Sequence, residues 1–172
     1  ILIPSNKPVS TDLDSVFRLA AYISALTSLV AGLAFVWSWL TLPADIDGVA
    51  YYEFLFWGGG HILQFSHTVL LLFAWLLLSL YSGYKIRAGY STLSKLFWLL
   101  FIPVPVAIWI LLTTDVISPE HREYFTLLMK YGGLASLPLG GLIVLGLFLR
   151  ESANQHAVAA RSALFSSIIL FA

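Results

Sequence analysis

Residues 49–80 form one apolar run whose only formally charged member is Glu53. A helix needs roughly 20 apolar residues to cross the hydrocarbon core of a bilayer, so this run is long enough to span one. No water is available there to satisfy backbone N–H and C=O groups, so the crossing segment must be helical. Yet its middle reads Phe56-Trp57-Gly58-Gly59-Gly60-His61-Ile62-Leu63-Gln64-Phe65-Ser66-His67-Thr68. Imidazoles and an amide are costly in hydrocarbon and persist where they face a bundle interior, a partner or a cofactor. Three successive glycines remove the side chains just before His61, so a flat or bulky group can approach that face.

The rest of the chain agrees with a membrane setting. It is 59% hydrophobic and 10% charged, whereas a soluble domain carries roughly 25% charged residues. The class expected is an all-α integral membrane protein, a polytopic transmembrane helix bundle. There is no cysteine, which excludes disulfides, thiolate metal sites and cysteine nucleophiles. Nine basic and nine acidic side chains cancel, so no nucleic-acid footprint exists. Residues 1–10 are mixed and polar, unlike the basic tip and short apolar core of a signal peptide. The chain opens on Ile1 and closes on Ala172 inside an apolar run, and we read it as part of a longer polypeptide.

Residues 1–172 are expected to form a single bundle of four complete spans and the start of a fifth, near 16–42, 49–82, 95–114, 122–150 and 159–172. The second span should tilt or protrude, being about 45–50 Å long at 1.5 Å per residue. Lys7, Arg18, Lys85, Arg87, Lys95, Arg150 and Arg161 fall on one side of this topology, which the positive-inside rule makes cytoplasmic. The N-terminal side of the segment is then cytoplasmic too. Asp45, Asp47, Asp115, Glu120 and Glu123 lie opposite, with Tyr51, Tyr52, Phe54 and Trp57 at the outer interface and Tyr81, Tyr84 and Tyr90 at the inner one.

The fourth span carries Gly132, Ser136 and Gly140 at four-residue spacing. Small residues so spaced let helices pack backbone to backbone in lipid. Pro138 removes an intrahelical hydrogen bond and predicts a kink, as do Pro103 and Pro105 in the third span.

On a helix, Glu53, Trp57, Gly60, His61, Gln64 and Thr68 share one stripe, while His67 points away from His61. The two histidines therefore do not chelate one metal as an i, i+4 pair would. His61 is left with two readings: one ligand among several drawn from different helices, or a buried imidazole bonded to Gln64, a backbone carbonyl or a neighbouring hydroxyl. Glu53 sits where it is solvated or paired. His121 and His156 fall in loops and are expected to face solvent, and Lys130 is expected to snorkel outward. No compact Ser/His/Asp set and no Glu-x-x-His motif is present, so no catalytic side chain is assigned.

Trp57-Gly58-Gly59-Gly60-His61 resembles the sixth helix of the catalytic subunit of heme–copper oxidases. The family pattern there is Trp-x-x-Gly-His-Pro-Glu-Val-Tyr, and its histidine ligates the copper beside the high-spin heme. Trp57, Gly60 and His61 match by type and spacing, and the helix runs in the same direction across the membrane. The resemblance implies that the five spans correspond to helices five to nine of a twelve-helix subunit in the bacterial inner membrane. It also implies a heme in the full-length protein, with His61, Trp57, Gly60 and Gln64 toward the cofactor and His61 as a metal ligand. Other membrane subunits and an electron donor would be its partners. The family's proline, glutamate and cross-linking tyrosine fall at Ile62, Leu63 and Phe65. The paired copper-binding histidines of its next helix have no counterpart between Lys95 and Thr114. One histidine cannot make a three-histidine copper site, so copper is expected to be absent or substoichiometric. The alternative is a non-catalytic membrane scaffold whose glycine faces serve helix packing. A transporter ranks last, because no internal repeat or broken helix pair is visible.

Overall fold

Each apolar run becomes a helix, and the two that contain internal prolines are interrupted near them. A computed structural model describes residues 9–82, 84, 88–147 and 156–171. The elements are α1 (Val9–Thr41), α2 (Gly48–Tyr81), α3 (Tyr90–Phe101), α4 (Pro103–Thr113), α5 (Pro119–Gly132), a single 3-10 turn (Gly133–Ser136), α6 (Leu137–Leu147) and α7 (His156–Phe171). Four stretches are long and apolar enough to cross a membrane: Asp14–Thr41, Gly48–Tyr81, Tyr90–Thr113 and Pro119–Gly146. This is the expected all-α polytopic bundle, with α7 contributing a shorter apolar helix.

The expected boundaries shift at four helix starts, the last being α7, which opens at His156 rather than 159. Helix α1 begins at Val9, and the third span begins at Tyr90, five residues before the expected start at 95. The fourth opens at Pro119 because Ser118 caps it: the Ser118 side chain accepts from the His121 backbone N–H at 3.2 Å, and Pro119 occupies the first turn. The basic residues Lys7, Lys85, Arg87 and Arg150, on which most of the charge argument rests, lie outside the described residues.

Antiparallel α1 and α2 form the central pair. Ser66 of α2 meets Ser24 and Ser28 of α1, with Oγ–Oγ distances of 2.7 Å and 2.9 Å, and its hydroxyl lies 3.1 Å from the Ser24 carbonyl. Hydroxyls across membrane helices contribute about 0.6 kcal/mol each on average, so this cluster fixes register more than it adds stability. Two apolar clusters flank it. One gathers Ile23, Val69, Leu76, Phe97, Leu139 and Ile143. The other, around Ile62, Ala107, Ile110, Phe125 and Leu128, carries the polar groups of interest.

The proline breaks fall as expected. At Ile102 the backbone N–H reaches only three residues back, to the Leu99 carbonyl at 3.2 Å, because Pro103 and Pro105 have no N–H to continue the regular ladder. Pro138 frees the carbonyl four residues before it, and the 3-10 turn stands there. Gly132 packs closely: a β-carbon there would lie 3.1 Å from both the Phe65 ring and Pro103. Gly140 only touches Leu72, at 3.7 Å, and Gly133 has nothing within 4 Å. The close approach expected of the small-residue face is therefore concentrated at its first member.

Candidate functional site

The glycine run before His61 is largely filled by the protein itself. Phe35 of α1 lies against Gly59, with its ring where a β-carbon would stand. Leu111 and Phe125 lie against Gly58, each 3.3 Å from a β-carbon position. Only Gly60 is open, with nothing within 4 Å. The flat surface expected of three glycines is thus a helix-packing notch over Gly58 and Gly59, and an open edge at Gly60 beside the half-buried His61.

His61 donates from Nδ1. Among the described residues its partner there is the Trp57 carbonyl, at 2.5 Å, and a carbonyl can only accept, so in the neutral ring the proton sits on Nδ1 and Nε2 keeps its lone pair. The imidazole leans on the Trp57 ring, with centroids 4.8 Å apart, and on the Phe125 ring at 5.8 Å. Of the three partners expected for a bonded imidazole, the backbone carbonyl is the one it takes. Gln64 does not join the site: its side chain is exposed, while its backbone carbonyl accepts from Thr68. His67 is exposed as well.

His121, expected to face solvent, is instead completely buried. The cause is the Ser118-Pro119-Glu120 start signal, which places His121 in the first turn of α5 rather than in a loop. His121 Nδ1 lies 2.8 Å from Thr114 Oγ1, whose own hydrogen goes to the Ile110 carbonyl at 2.7 Å. The threonine oxygen therefore accepts, Nδ1 carries the proton, and Nε2 is again bare; it is buried with no partner. The His121 ring packs on Phe125 at 4.9 Å. Phe125, four residues along α5, thereby touches both imidazoles.

Above them, Glu53 pairs with Arg122 at 2.9 Å, as its place near the outer interface suggested. The guanidinium also covers Phe54 at 4.7 Å and Trp57 at 5.1 Å. Trp57 Nε1 and Arg122 Nε are buried without a partner. Sequence reasoning brought Trp57, Gly60 and His61 together but missed Thr114, His121, Arg122 and Phe125. The capping signal at Ser118 was the available clue. Among the described residues, no three His, Asp or Glu side chains converge as a metal site.

The chain is similar to the uncharacterized protein RP382 of Rickettsia prowazekii (strain Madrid E), with 32% identity over 142 residues. The similarity covers 77% of this chain and 27% of that protein, so the chain spans about a quarter of the length of the curated relative it matches. No protein-family model matches the chain, and no solved structure does.

Proposed function

We propose that the chain is a segment of a divergent heme–copper oxidase-like membrane subunit. It would work in a respiratory or nitric-oxide-related redox complex with other membrane subunits, in the bacterial inner membrane and with its N-terminal side cytoplasmic. One observation carries the reading. His61 and His121, on different helices but both against Phe125, each commit Nδ1–H to an oxygen of the protein and leave Nε2 bare. Metal-ligating histidines are held in the same way, since the acceptor behind the ring fixes the tautomer and aims the free lone pair. The Trp57-x-x-Gly60-His61 match supplies the family.

The residues fit the implied groups to different degrees. A heme edge has room only at Gly60, because the neighbouring glycines are covered by Phe35, Leu111 and Phe125. When bound, the heme would supply electron transfer and a place for a diatomic ligand, with His61 and His121 turned toward it as hydrogen-bonding or ligating groups. For copper the sequence offered one histidine, and α5 now supplies a second candidate. A third ligand would have to come from outside the described residues.

The scaffold reading is favoured by a different fact, namely that the chain's own aromatic rings fill two of the three glycine positions. An optical spectrum of the purified full-length protein separates the two. Heme bands that shift in both His61→Ala and His121→Ala, and hold in His67→Ala, support the redox reading. A colourless protein ends it and leaves the scaffold.

A further inference from the structure

Two cavities meet at a pair of aromatic rings on the α4–α5 side of the bundle. One, of about 420 Å³, is apolar and runs between the α3–α4 break and α5, lined by Leu99, Pro103, Val106, Leu127, Gly132 and Ala135 among others. It opens sideways, since Val106, Leu127 and Tyr131 on its wall are exposed. The other, of about 380 Å³, is lined by Thr113, Thr114, Asp115, Ser118 and Glu120. Trp109 and Tyr124 line both, and their rings stack with centroids 6.2 Å apart and planes at 26°.

The spans set the depth of each cavity. Tyr90–Thr113 and Pro119–Gly146 both reach the membrane boundary at the short connection between them, so the polar cavity lies at headgroup depth and the apolar one within the hydrocarbon. From Leu99 to Trp109 the helical path is about 15 Å at 1.5 Å per residue, half of the roughly 30 Å hydrocarbon core. A groove of that length matches an acyl chain from one leaflet, whereas a transmembrane helix would need a face crossing both. Aromatic rings at the junction suit the boundary between chain and headgroup.

The polar mouth has a charge preference. Asp115 and Glu120 are exposed and, among the described residues, neither has a salt-bridge partner. The Thr113 hydroxyl donates to the Trp109 carbonyl at 2.8 Å, and that of Thr114 to the Ile110 carbonyl at 2.7 Å. Ser118 Oγ accepts from the His121 backbone N–H at 3.2 Å, which leaves its own hydrogen to give. Two carboxylates beside one free serine hydrogen favour an ammonium over an isolated phosphate, and the exposed Trp109 ring adds attraction for a cation. An ethanolamine headgroup meets both demands. Its ammonium brings three N–H donors to the carboxylates, and its phosphate accepts from Ser118.

We propose that this continuous groove holds one phospholipid with an ammonium-bearing headgroup, its acyl chain between α4 and α5 and its headgroup at Asp115, Ser118 and Glu120.

The test uses the full-length protein, delipidated in a neutral detergent, with binding read by calorimetry and as thermal stabilisation. The probes are short-chain phosphatidylethanolamine and phosphatidylglycerol with identical acyl chains. The wild type should bind the ethanolamine lipid several-fold more tightly. Asp115→Asn combined with Glu120→Gln changes only exposed side chains, so the protein should fold normally and lose that preference. Val106→Trp puts a ring into the groove and should weaken binding of both lipids several-fold. Absence of lipid binding, the result if another helix fills the groove, overturns the inference. Equal affinity for the two lipids in the wild type, or a preference that survives the double substitution, overturns it as well. Unchanged affinity in Val106→Trp would put the acyl chain elsewhere, with the same consequence.

Discussion

The ring of Phe35 on α1 occupies the space in which a β-carbon on Gly59 of α2 would stand. This contact sets how closely the two central helices approach, at a level between Trp57 and His61 on α2. Gly59→Ala must displace an entire ring edge, and overpacking of this kind costs about 1–3 kcal/mol. Gly60→Ala meets nothing within 4 Å and should gain about 1 kcal/mol of helix propensity. Thermal unfolding in detergent is expected to rank Gly59→Ala below wild type and Gly60→Ala at or above it. Combining Gly59→Ala with Phe35→Val should recover much of the loss. Equal stability of the two alanine variants would show that α1 can retreat.

Much of this architecture is legible in the sequence, and the reasons differ by element. Runs such as 49–80 declare themselves because hydrocarbon tolerates few charges, and Pro103, Pro105 and Pro138 mark their own helix breaks. The site was only half legible. His61 stands out as a candidate because an imidazole in an apolar run is costly to bury, whereas His121 sits between Glu120 and Arg122 and reads as loop. Its burial depends on α5 packing against α2 and α4, a tertiary fact with no local signature beyond the Ser118 cap. Gly58 and Gly59 misled for a related reason: a missing side chain announces close approach but does not say by what.

Gly132 makes the tight contact of the fourth span, facing Phe65 and Pro103, while adjacent Gly133 faces open space. Gly132→Leu should therefore prevent assembly, because a close-packed interior cannot yield the volume. Gly133→Leu should assemble normally, and Gly140→Leu should fall between them because Leu72 already lies at contact distance. Detergent-extractable monodisperse protein is the measurement. Normal yield from Gly132→Leu would mean that the helix break at Gly133–Ser136 lets α5 swing away.

Orientation can be read by single cysteines, since the chain has none of its own. Ser82 is completely buried and would label poorly, so Ser91 near the start of α3 and Asp115 in the α4–α5 connection are the better reporters, both exposed. The excess of basic residues on one side predicts that Asp115→Cys reacts with an impermeant maleimide from outside the cell and Ser91→Cys does not. The reverse pattern would invert the topology.

Thr114 gives the most direct test of how the second imidazole is held. Its hydroxyl gives its hydrogen to the Ile110 carbonyl and accepts the Nδ1–H of His121. Thr114→Val keeps the shape but removes the acceptor, leaving a buried donor unsatisfied at a cost of about 1–3 kcal/mol. With the acceptor gone, nothing specifies which nitrogen of His121 carries the proton. Solid-state nitrogen NMR of histidine-labelled full-length protein should show His61 and His121 as Nδ1–H tautomers in the wild type. In Thr114→Val the His121 signal alone should move or broaden toward a tautomer mixture, while His61, fixed by the Trp57 carbonyl, stays where it was. An unchanged His121 signal would mean that Phe125 packing, rather than the threonine, sets the ring, and Thr114 would then have no part in presenting Nε2.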